Sequence, residues 1–249
     1  MKKFKILLLC AVLGFTIPQS QILATSITAN IDSISSDIRN LNQMLHPLLT
    51  EENPQIIEQF ETMTREWQEY YLEKRAFDIQ LLIKATKLLI AGEAERITKN
   101  EDSSLVHVLR ITHILWSNKV RSVNILAAAL LDHIDEVGVS ENELQDSFGP
   151  RIYYTLYNEE HPPTQTEEEH RNVHIQVAPL QTINAQMIQL AHRIEYFQYK
   201  LNLDQISEEE LLVQLKWSRS LLHALHGANE NLENALQEEI DRLTSTLLA

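Results

Sequence analysis

The chain has 249 residues, with 21 Lys and Arg against 35 Asp and Glu, so its formal net charge is −14. So acidic a surface repels phosphate backbones and anionic lipid, which argues against binding to nucleic acid or to a membrane surface. Five glycines and seven prolines are too few for a β-rich fold with many tight turns, and there is no glycine-rich phosphate loop. The length allows one domain, or one domain with an appendage.

Residues 1–24 have the layout of a secretory signal peptide. Three lysines precede an apolar run from Ile6 to Ile17, and Ala24 is a suitable residue before a cleavage site. The run is too short for a comfortable membrane span. We therefore expect a secreted or periplasmic protein with no membrane attachment after cleavage. Because the only cysteine, Cys10, would be removed with the signal, disulfides and thiolate catalysis are excluded from the mature chain.

Apolar residues recur at helical spacing along the rest of the chain, and no segment alternates as a strand would. The pattern predicts an all-α protein with a helical appendage at residues 25–75 and a main helical domain at residues 76–249. The appendage carries no recognisable chemistry and is interpreted as a helix pair or a partner-binding arm. Within the main domain the predicted segments are helices at 103–118 and 122–136, a helix after the capping box Ser140–Glu143, a polar loop at 158–169, a helix at 182–203, a helix from the capping box Ser207–Glu210 to Gly227, and a last helix from Asn229 to Leu248.

Histidine, with ten copies, is the most informative residue type. His107, His133 and His192 lie in or at the end of apolar helices, whereas most of the others accompany a proline, the polar loop or the C-terminal helix. Four ionisable residues end the second of these apolar helices: Asp132, His133, Asp135 and Glu136. Burying such groups is costly unless a metal ion or ion pairs replace the lost hydration. Ligands from separate helices can converge on one metal ion in a helical bundle.

These segments resemble the HD domain of RelA/SpoT-type alarmone hydrolases, and most of all the small Mesh-type enzymes that hydrolyse guanosine 3′,5′-bis(diphosphate). The matching blocks occur in the family's order between about residues 80 and 240: Leu105-Val-His107-Val, Ala128 to Glu136, Phe148-Gly149, His174 to Arg193, and then Trp217, Gly227, Asn229 and Leu232-Glu233. The resemblance implies an HD-domain helical bundle with additional N-terminal helices and a metal-dependent pyrophosphohydrolase activity.

In that family Mn²⁺ is held by a first His, a His-Asp dyad and a later Asp. The resemblance places His107 at the first position, the reversed pair Asp132–His133 at the dyad, and His192 at the last. A second alignment deletes the dyad His and keeps Asp132 in place. It puts Asp135–Glu136 at the family's catalytic Glu-Asp pair in swapped order. The sequence leaves both alignments open.

The altered ligand set changes the expected metal. Three His and one Asp supply one carboxylate fewer than the family's set, which favours Zn²⁺ or Fe²⁺ over Mn²⁺. Asp135 or Glu136 is expected to orient or deprotonate a bound water, and Arg193, at the family's Lys position, to contact phosphate. Two other substrate contacts of the family are lost, since Ser104 replaces a Tyr and Tyr196 replaces an Asn.

Two functions follow from these changes. One is a metal-dependent phosphohydrolase of a nucleotide-like small molecule, and the other is an inactive pseudoenzyme that binds or scaffolds a protein partner. Alarmone is cytosolic, so an exported protein would not meet it. With respect to alarmone, export therefore favours the pseudoenzyme. Convergence of His107, Asp132 or His133, and His192 within ligand distance would favour the first. The sequence does not indicate an oligomeric state.

The signal peptide is tested by fusing residues 1–30 to a reporter that works only outside the cytoplasm. We expect an active reporter, and a mature N-terminus near Thr25 in mass spectra of the full-length protein, because the apolar run is a translocation signal. Recovery of an intact cytosolic chain beginning at Met1 would contradict the expectation and restore alarmone as a reachable substrate.

Overall fold

The computed structural model describes residues 19–49, 54–72, 76–99, 104–132, 134, 139–156, 166–203 and 205–247. Every regular element in these ranges is helical, so the predicted all-α class is confirmed. None of the helices described is long and apolar enough to cross a bilayer. In chain order they are α1 (Gln19–Leu45), α2 (Pro54–Leu72), α3 (Ala76–Lys99), α4 (Leu105–Ser117), α5 (Val123–Leu130), α6 (Glu141–Phe148), α7 (Pro150–Leu156), α8 (Glu167–Val177), a 3₁₀ turn (Ala178–Leu180), α9 (Ile183–Glu195), a π-helical turn (Tyr196–Lys200), α10 (Glu208–Ala224) and α11 (Glu230–Leu247).

Helix α5 lies at the centre of the bundle. Its residues from Ile125 to Leu130 are all buried, including three consecutive alanines, whose small side chains allow neighbouring helices to approach closely. It packs against α3, α4 and α7. A helix with no polar face must lie inside the protein, so the turn that follows it, at Leu131 and Asp132, is held near the core.

Helix α9 packs against α4, α5 and α11. Its N-terminus is capped by Thr182, whose side chain accepts a hydrogen bond from the Ala185 amide at 3.3 Å. The helix then changes to a π-helical turn after Glu195. This packing brings one side of α9 against the first turns of α4 and the end of α5.

The two N-terminal helices contribute to the same hydrophobic core. Helix α1 buries residues three or four apart, from Ile34 to Leu45, against α2 and α3, and α2 in turn packs on α3 and α4. The Trp67 ring makes edge contacts with Phe60 and Trp116, each at a centroid distance of 6.3 Å. The predicted boundary at residue 75 therefore falls between helices that share one core.

The signal peptide stays a prediction, because most of residues 1–24 lie outside the described residues. Helix α1 continues through Ala24, and its buried positions among the residues with described side chains begin at Ile34. Cleavage after Ala24 would therefore leave these core contacts in place.

The structure departs from the predicted elements in the polar loop and at two helix ends. Residues 167–169, predicted as loop, begin α8, because the Thr166 side chain accepts a hydrogen bond from the Glu169 amide at 3.1 Å. Three glutamates in that first turn also interact favourably with the helix dipole. Helix α5 ends at Leu130 rather than 136, and α9 ends at Glu195 rather than 203.

Substitution of Trp67 by Ala tests whether the N-terminal helices stabilise the whole domain. We expect the free energy of unfolding to fall by about 3–5 kcal/mol, the usual cost of emptying a large aromatic core site. Urea unfolding followed by circular dichroism measures this, with the exposed Glu69→Ala on the same helix as control. A variant that loses only a minor separate transition would show that α2 is an independent appendage.

Candidate metal centre

Three of the predicted metal ligands converge on one point. One donor atom from each of His107, Asp132 and His192 lies within 4.8 Å of the donor atoms of the other two. His192 Nε2 is 2.8 Å from Asp132 Oδ2, and the centroids of the two imidazole rings are 5.1 Å apart. The residues come from α4, from the turn after α5 and from α9. The cluster therefore depends on the packing of three helices.

The first turn of α4 is fixed by a buried carboxylate. Glu93, on α3, accepts hydrogen bonds at Oε1 from the Ser104 amide at 3.0 Å and from the Ser104 hydroxyl at 3.2 Å. These bonds satisfy a backbone donor at the start of α4, where a helix has no partner of its own. Ser104 therefore anchors the helix that carries His107, at the position where the resembling family has Tyr.

The donor set fits a divalent transition metal. Two imidazoles and one carboxylate are borderline ligands suited to Zn²⁺ or Fe²⁺, and three protein ligands are the number that catalytic zinc centres use. All three side chains are partly buried rather than sealed, so water or a substrate can reach them. The cluster could thus hold a metal ion.

Burial lowers the pKa of His107 below its usual value. Hydrogen bonding to Glu195 opposes this effect, and the neighbouring His192 adds to it. The folded protein therefore favours the neutral imidazole, which is the form that binds a metal ion.

Three predicted site residues, His133, Asp135 and Glu136, lie outside the described residues. Their roles as ligand and water-activating groups stay predictions. Asp132 belongs to the ligand set in both alignments, so its position beside His192 does not choose between them.

A cavity of about 300 Å³ lies beside the cluster. Its wall includes Asp132 and His192 together with Arg193, His174 and Trp217. The metal-capable cluster and the predicted phosphate-binding arginine therefore share one cavity.

The Arg193 guanidinium is buried and held by neutral groups. Its Nε donates to Ser218 Oγ at 2.5 Å, and its Nη2 donates to the backbone oxygen and the Oε1 of Gln214, at 3.1 and 2.6 Å. The rings of three aromatic residues lie 4.3–4.5 Å from its Cζ: Tyr196, Phe197 and Trp217. Burial lowers the pKa of Arg193 to about 9, which leaves it positively charged at pH 7.

Among the described residues no carboxylate lies within 4.0 Å of this guanidinium. No described group of any kind accepts a hydrogen bond from its Nη1. A buried charge is normally paired. The side chain is therefore suited to an anion in the cavity.

Sequence reasoning missed Glu195. Its side chain is 1% exposed, and its Oε2 lies 3.1 Å from His107 Nδ1. Arg110 Nη1 and Lys200 Nζ lie 4.0 and 3.9 Å from its two oxygens. The spacing His192-x-x-Glu195, which puts both side chains on one side of a helix, is the signal that could have identified it.

The chain was compared with known proteins. No protein-family model matches it, and no curated protein sequence does. Among solved structures it is similar to a metazoan orthologue of SpoT that hydrolyses ppGpp and plays a role in starvation responses. The TM-score is 0.54 at 20% identity, and the match covers 64% of this chain and 94% of that one. This likeness confirms the predicted HD-domain helical bundle and is a likeness of fold alone.

Metal binding is tested by elemental analysis of the purified protein after dialysis against Zn²⁺, Fe²⁺ or Mn²⁺. We expect about one ion per chain, and a loss of most of it in His107→Ala and in His192→Ala, because two remaining described ligands give neither the affinity nor the geometry of a site. His113→Ala, on the same helix as His107 but outside the cluster, is the matched control. Equal metal content in all four proteins would contradict the assignment.

Proposed function

We propose that this chain is a metal-dependent phosphohydrolase that acts on a small, nucleotide-like phosphorylated molecule. The observation that supports the proposal is the shared cavity, whose wall holds Asp132 and His192 of the cluster together with the buried cation of Arg193. Neither feature alone indicates a phosphorylated ligand. Together they supply a metal-capable group and an arginine in the wall of one cavity.

The charge of the cavity favours an anionic ligand. Arg193 Nη1 is the guanidinium nitrogen not used by Ser218 or Gln214. The positive charge of Arg171 also lowers the pKa of Arg193, so a second cation acts on the same region. A phosphate bound at Nη1 would pair the buried charge through a charge-assisted hydrogen bond.

The cavity size agrees with a small molecule. About 300 Å³ lies at the lower end of the range for small-molecule sites, about 300–1,000 Å³. Its wall also contains the apolar side chains of Leu156, Ile188 and Leu221, and the ring of Trp217. Such a surface can cover a ring system while the charged end of the molecule faces Arg193 and the cluster.

Each group of residues in the proposed site has one task. A metal ion bound by the cluster would polarise a phosphoryl oxygen and lower the pKa of a coordinated water. Arg193 would hold a phosphate group, and its guanidinium is kept in place by the aromatic rings and by Gln214. Asp135 or Glu136 would accept a proton from the attacking water.

We also propose that the protein is exported through residues 1–24. Its substrate would then be a phosphorylated molecule met outside the cytosol. Removal of residues 1–24 would leave 18 positive against 35 negative residues, a net charge of −17 that would keep nucleic acid away.

The alternative is a binding module without hydrolysis. Two positions that bind substrate in the resembling family make internal contacts in this protein. Tyr196 packs 4.4 Å from the Arg193 guanidinium, and Ser104 bonds to Glu93. A site that keeps its cavity and loses these contacts can bind a ligand without turning it over.

The two functions are separated by assaying the metal-loaded protein for binding and for phosphate release with a panel of nucleoside diphosphates and pyrophosphates. We expect turnover of at least one of them, and weak or no turnover of guanosine 3′,5′-bis(diphosphate). In Arg193→Gln we expect kcat/KM to fall about 10- to 100-fold, the effect of losing one charge-assisted hydrogen bond.

Arg219→Gln, on α10 and outside the cavity, is the matched control, and circular dichroism checks folding. Tight binding without turnover would establish the binding module. Absence of both binding and turnover would contradict the proposed function, and vigorous hydrolysis of the alarmone would show that Ser104 and Tyr196 replace the family's contacts adequately.

A further inference from the structure

Glu195 is a buried carboxylate beside the metal-capable cluster. It lies on the last turn of α9, one turn after His192, and its Oε2 is 3.1 Å from His107 Nδ1. A carboxylate so deeply buried is costly unless charged or hydrogen-bonding groups surround it. Here His107, Arg110 and Lys200 each place a nitrogen within 4.0 Å of one of its oxygens.

The elements around Glu195 hold it in this position. The π-helical turn of Tyr196–Lys200 follows directly and is closed by the Leu201 amide, which donates to the Tyr196 oxygen at 2.8 Å. This turn brings the ammonium group of Lys200 back towards Glu195. Arg110, one turn after His107 on α4, stacks on the Tyr199 ring at 4.3 Å and so is held against the same turn. Single π-helical turns are common at functional sites.

Glu195 contacts Nδ1 of His107 and not Nε2, and this bears on which of the two nitrogens can bind a metal. A carboxylate oxygen 3.1 Å from Nδ1 favours a proton on that nitrogen, which would leave the lone pair of the imidazole on Nε2. A carboxylate that fixes the tautomer in this way also orients the ring and raises its basicity as a ligand. Glu195 is not one of the three residues whose donor atoms converge. Its carboxylate would therefore act on the cluster through His107.

We propose that Glu195 is a positioning residue of the metal centre, which holds His107 as the Nδ1-protonated tautomer so that Nε2 binds the ion. The inference rests on the proposed function only in that it assumes a metal at the cluster. Position 192 is His where the resembling family has Asp, and Glu195 supplies a carboxylate close to the site instead. With a metal ion bound, the arrangement would be a carboxylate–histidine–metal triad, which suits Zn²⁺ or Fe²⁺.

The first test measures the tautomer of His107 in the metal-free full-length protein. Two-bond ¹H–¹⁵N spectra, assigned by comparison with His107→Gln, distinguish the two ring nitrogens at a pH where the imidazole is neutral. We expect the proton on Nδ1 in the wild-type protein, and a shift towards the mixture or the Nε2-protonated form in Glu195→Leu. An Nε2-protonated His107 in the wild-type protein would overturn the inference. This result does not depend on any bound metal.

The second test measures Zn²⁺ and Co²⁺ affinity by titration. We expect Glu195→Gln to weaken binding about 10- to 100-fold, the usual effect of losing the carboxylate behind a metal-bound histidine. Glu195→Asp should recover part of the affinity because it keeps the charge. Co²⁺ absorption should shift in both variants if the ring of His107 is reoriented.

Glu233→Gln is the matched control, because Glu233 Oε2 makes an equivalent contact with His226 Nδ1, at 2.8 Å, away from the cluster. Unchanged Zn²⁺ affinity in a folded Glu195→Gln would overturn the inference while leaving the proposed function intact. A wild-type protein that binds no metal would overturn the proposed function, and the tautomer measurement would still decide whether Glu195 holds His107.

Discussion

The packing of α4 against α9 is the interaction on which the candidate site depends. It places the His107 ring 5.1 Å from the His192 ring, and Asp132, in the turn after α5, lies 2.8 Å from His192. The apolar residues of α5 are the reason that Asp132 is held close to the core, because a helix with no polar face has to be covered on all sides. The ionisable groups of the cluster are therefore held in place by hydrophobic packing around them.

Helix α9 carries three charged or metal-capable residues in a fixed angular order. Successive residues of an α-helix are about 100° apart, so Glu195 and Arg193 point to nearly opposite sides, with His192 between them. Glu195 meets His107 and Arg110, whereas Arg193 faces α10 and the cavity. His192 therefore lies where the metal-capable cluster and the cavity beside Arg193 meet.

The two buried charges of this helix are compensated in different ways. Glu195 is surrounded by cationic and imidazole groups, so its charge is balanced within the protein. Arg193 is surrounded by aromatic rings, a hydroxyl and an amide, which solvate a cation without neutralising it. This difference explains why one side of α9 is suited to a metal ligand and the other to an anion from outside.

The amino-acid sequence alone was sufficient for the helical class, for a resemblance in fold to alarmone hydrolases and for the three residues that converge, because His107, Asp132 and His192 stand out as ionisable residues in apolar helices. It could not identify Glu195 or the partners of Arg193, since these depend on the register between helices distant in the chain. Local periodicity fixes which residues share a side of one helix. Only tertiary packing decides which side meets His107 and which meets Gln214 and Ser218, because those contacts join α9 to α4 and α10 across the core.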